Sequence, residues 1–180
     1  MVNRSRNPRL ITLLVQFRVQ FPAVEVVGLA GDALTNGQNN EAIELAVKSA
    51  SIICTATSST EPLFPAHWVT PGTHINLIGS FTPHMHEVSS TLIKQAKLVL
   101  VDSRAACAKE AGELIAAVFP AENAIELGEL GSQIELTGRG DEKVITIFKS
   151  VGVSVMDAAI ADLVIRKARE VGSGTSILYD

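Results

Sequence analysis

Several things are scarce in this chain of 180 residues, and each scarcity closes off a class of answers. There are only two cysteines, Cys54 and Cys107, without CxxC spacing, which fits two free thiols in a reducing compartment and not a disulfide scaffold. Aromatics make up 4% of the residues, so the lone Trp68 and Tyr179 read as packing and tail residues and not as stacking platforms. Positive charge is in the minority, with 15 Lys and Arg against 19 Asp and Glu, and its densest patch is Arg4, Arg6 and Arg9. Nucleic-acid binding needs an electropositive face, and this composition excludes it. No uncharged apolar run approaches the roughly eighteen residues of a membrane span, and Met1 leads directly into polar Asn3-Arg4-Ser5-Arg6 and not into a signal peptide. The expectation is a soluble cytoplasmic protein without membrane partners.

What is present is apolar: 47% of the residues, with a mean hydropathy of +0.28. Such an excess suits buried parallel strands, a subunit interface, or both. Leu10, Leu13, Leu14 and Phe17 recur at helical spacing over 8–20, with Asn7 placed to cap and Pro8 at the first helical position. Further helices are predicted over 42–48, 89–96, 103–117 and 155–171, the last with Met156, Ala159, Ile160, Leu163 and Val164 on one stripe. Short Val- and Ile-rich runs at 24–30, 50–57, 73–78, 98–101 and 143–148 read as strands covered on both faces, the last of them central. Residues 119–141 are rich in loops, with a helical turn at 127–130. Strands that alternate with helices predict an α/β fold with a mainly parallel sheet, because parallel neighbours need crossover helices.

Ligands of open α/β sheets lie beyond the carboxyl ends of the strands. Three of those ends carry small or polar residues: Thr55-Ala56-Thr57-Ser58-Ser59, then Asn76, Gly79, Ser80 and Phe81, then Asp102 and Ser103. They either cap the following elements or line a shared crevice. Lys149 and Ser150 end another strand and are candidates to approach a ligand. His84, His86 and Glu87 lack the spacing of a known zinc motif, so no metal is assigned, and His84 and His86 read as loop or contact residues. Asp157 has a sufficient explanation as a carboxylate at a helix start. No residue is singled out as catalytic. A G-x-G-x-x-G or G-x-G-x-x-A run after a strand is also missing, and with it the usual backbone donors for a pyrophosphate.

A set of short motifs, in order along nearly the whole chain, resembles the ornithine cyclodeaminase/mu-crystallin family. They are Asn3-Arg4-Ser5, Thr55-Ala56-Thr57 with Glu61-Pro62, His74-Ile75-Asn76-Leu77-Ile78-Gly79, Val101-Asp102-Ser103, Glu110-Ala111-Gly112-Glu113-Leu114, Glu126-Leu127-Gly128-Glu129 and Phe148-Lys149-Ser150-Val151-Gly152. The resemblance implies a Rossmann-type NAD(P)-binding domain over 1–152, a helix returning toward a dimerisation domain over 153–171 and a tail over 172–180. It implies NADP or NAD as cofactor, with Asn3, Arg4 and Ser5 at the adenosine ribose, Thr55, Ala56 and Thr57 along the dinucleotide crevice, and Ser80 and Ser150 beside the nicotinamide. Family members of the cyclodeaminase type carry an aspartate after the glycine that matches Gly79. Phe81 lies in the corresponding stretch here and cannot move a proton, which points away from cyclisation of ornithine. The lack of a glycine-rich loop adds the expectation of an incomplete sheet in a truncated, catalytically impaired relative of imine and amino-acid oxidoreductases, with a homo-oligomer or a missing amino-terminal half as partner. The alternatives are an NADP-linked ketimine reductase or amino-acid dehydrogenase-like enzyme, or a small-molecule binder without chemistry.

Overall fold

The structure is a computed structural model that describes residues 2–3, 8–30, 41–130, 143–175 and 177. It opens with a small β–α–β unit. Strand β1 (Val2–Asn3) runs parallel to β2 (Leu29–Ala30), joined through helix α1 (Pro8–Gln20). Arg18 fastens the helix to the returning chain by donating to the Val26 carbonyl at 2.9 and 3.2 Å. Leu14 packs so tightly on Gly28 that a Cβ there would lie 2.4 Å from its Cδ1. Of the strand expected over 24–30, only Leu29–Ala30 pairs. The expected Asn7 cap lies outside the described residues.

Helix α2 (Glu41–Ser49) leads into the main sheet. Its strands are β3 (Ile52–Thr55), β4 (His74–Leu77), β5 (Leu98–Val101), β6 (Ile125–Glu126) and β7 (Thr146–Lys149), in the spatial order β3-β4-β7-β5-β6. Every pairing is parallel. The connections carry α3 (Ser90–Gln95), α4 (Arg104–Glu110) and α5 (Gly112–Ala116), and the chain ends in α6 (Ser154–Glu170). Ser89 and Ser103 cap α3 and α4 by accepting from the Leu92 and Ala106 amides.

β7 takes the central position, as its apolar run predicts. On one face of the sheet, Ile75, Leu77, Val99, Val101 and Ile147 are buried beneath α2, α3, α4 and α5, in one cluster with Phe64, Trp68 and Val88. Burial of each such side chain stabilises the fold by about 1.5–3 kcal/mol. This five-stranded parallel sheet over one continuous core corrects the expectation of an incomplete sheet. The strands are not covered equally on both faces: burial alternates along β4, β5 and β7. The half-buried face is partly polar, and a hydrogen-bonded chain crosses it from Thr146 through His74 and Asn76 to Cys54.

The helix expected to run unbroken to Ala117 breaks at Ala111, whose ψ of 94° is not helical. Tertiary contact is the cause. Gly112 abuts the loop before Glu87, where a Cβ would stand 2.0 Å from the Met85 carbonyl oxygen. β6 lies in what composition marks as loop, since a strand of two residues leaves no periodicity to read. The turn expected at 127–130 forms as a 3-10 helix, Leu127–Glu129. α6 keeps its apolar stripe exposed, with Ile160 and Leu163 both on the surface, and among the described residues nothing covers it.

Candidate functional site

Register brings the site together. Thr55, Leu77, Lys149, Val101 and Glu126 are mutual partners across the sheet, so all five strands end at one level. The segments that follow, 56–59, 78–81, 150–152 and 102–103, share one edge. Several of the hydroxyl groups on this edge turn inward, toward two carboxylates that organise the turns.

Glu87 is the first and is fully buried. Its Oε2 accepts from the Thr55 hydroxyl at 2.7 Å and the Gly79 amide at 2.8 Å. Its Oε1 accepts from the Thr57 amide at 2.6 Å and the Thr57 hydroxyl at 2.8 Å. The ends of β3 and β4 are thereby bound to one side chain. Space is so tight that a Cβ on Gly79 would lie 2.1 Å from the Thr57 amide nitrogen and carbonyl oxygen.

A second layer lies against it. The Glu87 amide donates to Oε1 of Glu113 at 3.1 Å, and Glu113 is also fully buried. The Ser80 hydroxyl is 2.8 Å from Oε2 of Glu113 and 2.9 Å from the Met85 carbonyl, and its single hydrogen serves one acceptor at a time. Lys149 Nζ donates to the Ser80 carbonyl at 2.5 Å and stands 3.7 Å from Oε2 of Glu113. Lys149 therefore does not reach a ligand: its side chain is fully buried on the core face of β7, where register places it beside Leu77 and Val101.

Asp102 is the other carboxylate and lies only partly buried at the end of β5. Its Oδ2 accepts from the Ser150 hydroxyl at 2.7 Å, the Val151 amide at 2.9 Å and the Gly152 amide at 2.7 Å. Its Oδ1 accepts from the Ser103 amide at 2.8 Å and the Cys107 thiol at 3.4 Å. Burial opposes its ionisation, but the bonds from Ser150, Gly152, Cys107 and Ser103 outweigh burial and hold the carboxyl below its ordinary value. Burial, then the charge and hydrogen bond of Asp102, push the Cys107 thiol up to about 12, so it stays protonated and inert. Gly152, with φ of +92°, completes a turn that a side chain would strain.

Of the residues expected at a cofactor, Ala56 and Thr57 stand exposed on the shared edge. Thr55 and Ser80 are buried and Ser150 half-buried, and each spends its hydroxyl within the protein. Asn3 lies in β1, paired with Ala30 of β2 in the small sheet, and Arg4 and Ser5 fall outside the described residues. His84 and His86 make loop contacts, to the Thr82 hydroxyl and the Thr60 carbonyl. Sequence reasoning passed over Glu113 and gave Glu87 no definite role. The signal was a carboxylate set directly against an apolar residue, Glu87-Val88 and Glu113-Leu114, and Glu87 is the lone Asp, Glu, Lys or Arg between Glu61 and Lys94.

The profile of the ornithine cyclodeaminase/mu-crystallin family matches residues 38–172. A Δ1-pyrroline-2-carboxylate reductase of Bacillus cereus is 41% identical over 140 residues, which are 74% of this chain and 42% of that protein. The ketimine reductase mu-crystallin of Rattus norvegicus is 41% identical over 122 residues, 68% of this chain and 37% of the relative. Among solved structures, a Thermococcus litoralis Δ1-pyrroline-2-carboxylate reductase in complex with NADH and L-proline superposes with a TM-score of 0.78 at 27% identity, over 98% of this chain and 52% of its own. An archaeal alanine dehydrogenase dimer with bound NAD does so with a TM-score of 0.70 at 26% identity, over 92% of this chain and 49% of its own. Superposition over nearly every residue corrects the expectation of an incomplete domain fold. In the other direction, the chain spans about half the length of these structures and 37–42% of the curated relatives.

Proposed function

Because the chain belongs to the ornithine cyclodeaminase/mu-crystallin family, we propose that it forms the dinucleotide-binding part of an NAD(P)-linked reductase of cyclic imines such as Δ1-pyrroline-2-carboxylate. The observation that carries this reading is the common register of the five strand ends, which supports a continuous ligand edge where Rossmann-type sheets bind nucleotides. The edge fits a flat nucleotide. Ala56 has only a methyl group there, and Gly79 lets the ends of β3 and β4 close together, because a Cβ would run into the Thr57 backbone. When bound, the nicotinamide supplies the hydride. The protein's part is to hold its strand ends still: Glu87 fixes the Thr55–Thr57 turn, and Asp102 fixes the turn through Gly152. Phe81 is exposed beside this edge and carries no proton, which favours imine reduction over the deamination of a diamino acid. As in the alanine dehydrogenase relative, a dimer is the proposed assembly.

Calorimetric titration of the chain with NADH and with NADPH, beside an absorbance assay of nicotinamide oxidation with Δ1-pyrroline-2-carboxylate, tests the proposal. One saturable site and substrate-dependent oxidation are expected, and the stronger of the two titrations identifies the cofactor. Absence of heat at high micromolar nucleotide refutes the reading. Saturable binding without turnover on any cyclic imine leaves a nucleotide-binding protein and removes the reductase.

A further inference from the structure

We infer that Glu87 is a positioning residue for the nucleotide edge, acting through the Thr57 and Gly79 amides and not through contact with ligand; this rests on the reading just proposed. Three features lead to it. Four donors address the two oxygens of a fully buried side chain, the full complement a carboxylate accepts, and two of them are backbone amides from different strand ends. Among the described residues no cation pairs with it. Burial of a lone carboxylate is costly, and apolar packing would hold two loops together as well or better. A carboxylate is needed where amides must be held in a stated direction, since dipoles aim at a charge and not at a methyl group. The third feature is the close approach of Gly79 to Thr57, which leaves no slack for either turn to drift once Glu87 is in place.

Asp102 makes a comparable clamp, but on the turn after β7. The Glu87 clamp joins the two neighbouring strands β3 and β4, whose ends carry the small residues Ala56 and Gly79. Release of Glu87 should therefore loosen nucleotide binding before it unfolds the domain.

The test compares Glu87→Gln, Thr55→Val and Thr55→Ser with the parent and with Val88→Ala, a buried neighbour that bonds to neither turn through its side chain. Two quantities are read: NADH affinity by calorimetry, and amide hydrogen exchange at Thr57 and Gly79. Glu87→Gln presents a donor to donors and should weaken NADH binding by about tenfold, and Thr55→Val, which deletes a single hydroxyl, by about threefold. Exchange at Thr57 and Gly79 should quicken in both while that of β5 stays slow, and Thr55→Ser should restore both readouts. Should Glu87→Gln fail to fold, Thr55→Val carries the comparison alone. NADH affinity within twofold of the parent in the folded variants, or an equal loss in Val88→Ala, overturns the inference. A parent that binds no NADH refutes the functional reading instead, and the clamp is then judged on exchange: unchanged protection at Thr57 and Gly79 in Glu87→Gln or Thr55→Val defeats it.

Discussion

Glu87 and Asp102 perform the same local task at two places on one sheet, and they do so in different surroundings. Each gathers amides and hydroxyls from a turn that follows a parallel strand. Glu87 is sealed from water and backed by Glu113 and Lys149, whereas Asp102 is half-open and begins the connection to α4. The difference teaches where stability is concentrated. Solvent can replace part of what Asp102 offers, but the Glu87 carboxylate is sealed from water and its loss would leave the buried Thr55 hydroxyl without its acceptor there.

That contrast is most easily broken by truncating both. Glu87→Ala should destabilise the domain by about 3–5 kcal/mol and Asp102→Ala by about 1–2 kcal/mol, measured by urea unfolding. Equal losses would show that burial is not the deciding variable. Next in size is the second layer. Lys149→Met strands the Glu113 carboxylate in the core and should cost about 2–4 kcal/mol, while the double variant Lys149→Met with Glu113→Gln, which removes the charge and keeps an acceptor for the Glu87 amide, should recover part of it. A double variant no better than the single would show that the pair is not a coupled unit.

A smaller effect separates the two clamps by pH. The Asp102 carboxyl is held below its ordinary value of 3.8, so the folded state favours the ionised form. Its contribution is present in full above about pH 5 and is lost as pH falls through the lowered folded value. Asp102→Asn should thus flatten the acid limb of the stability curve, and the stability gap between variant and parent should close toward low pH. A gap that persists undiminished below pH 3.8 would deny the shift.

The smallest expected change is a gain and lies outside both clamps. Val118 ends α5 with φ of +52°, and the amides of Val118 and Phe119 return to the Ile115 and Leu114 carbonyls. These are the bonds of a Schellman cap, in which glycine is the usual occupant. Val118 is 83% exposed and so gives little packing in return. Val118→Gly should stabilise by about 0.5–1 kcal/mol, read as a higher melting temperature, with no change in nucleotide binding. A loss would show that the side chain packs more than its exposure indicates.

Much of this was legible before any coordinates. The strand over 98–101 and the central place of the run over 143–148 follow from local pattern, as apolar runs of strand length, whereas Ser89, expected inside its helix, stands one residue before it as the cap. The site was less so. Ser80 and Ser150 stand at strand ends as expected, yet which way a hydroxyl turns depends on an acceptor far along the chain, Glu113 in one case and Asp102 in the other.

The sequence by itself determined the alternation of strands and helices, the small residues at the strand ends and the family to which the chain belongs, because periodicity and short motifs are properties of neighbours along the chain. Tertiary structure alone decided that Glu87 clasps Thr57 and Gly79, that the helix breaks at Ala111 so that Gly112 can meet Met85, and that Lys149 is buried with Glu113. Those pairings join groups from different strands and loops, and only the parallel register of the sheet brings them within bonding distance.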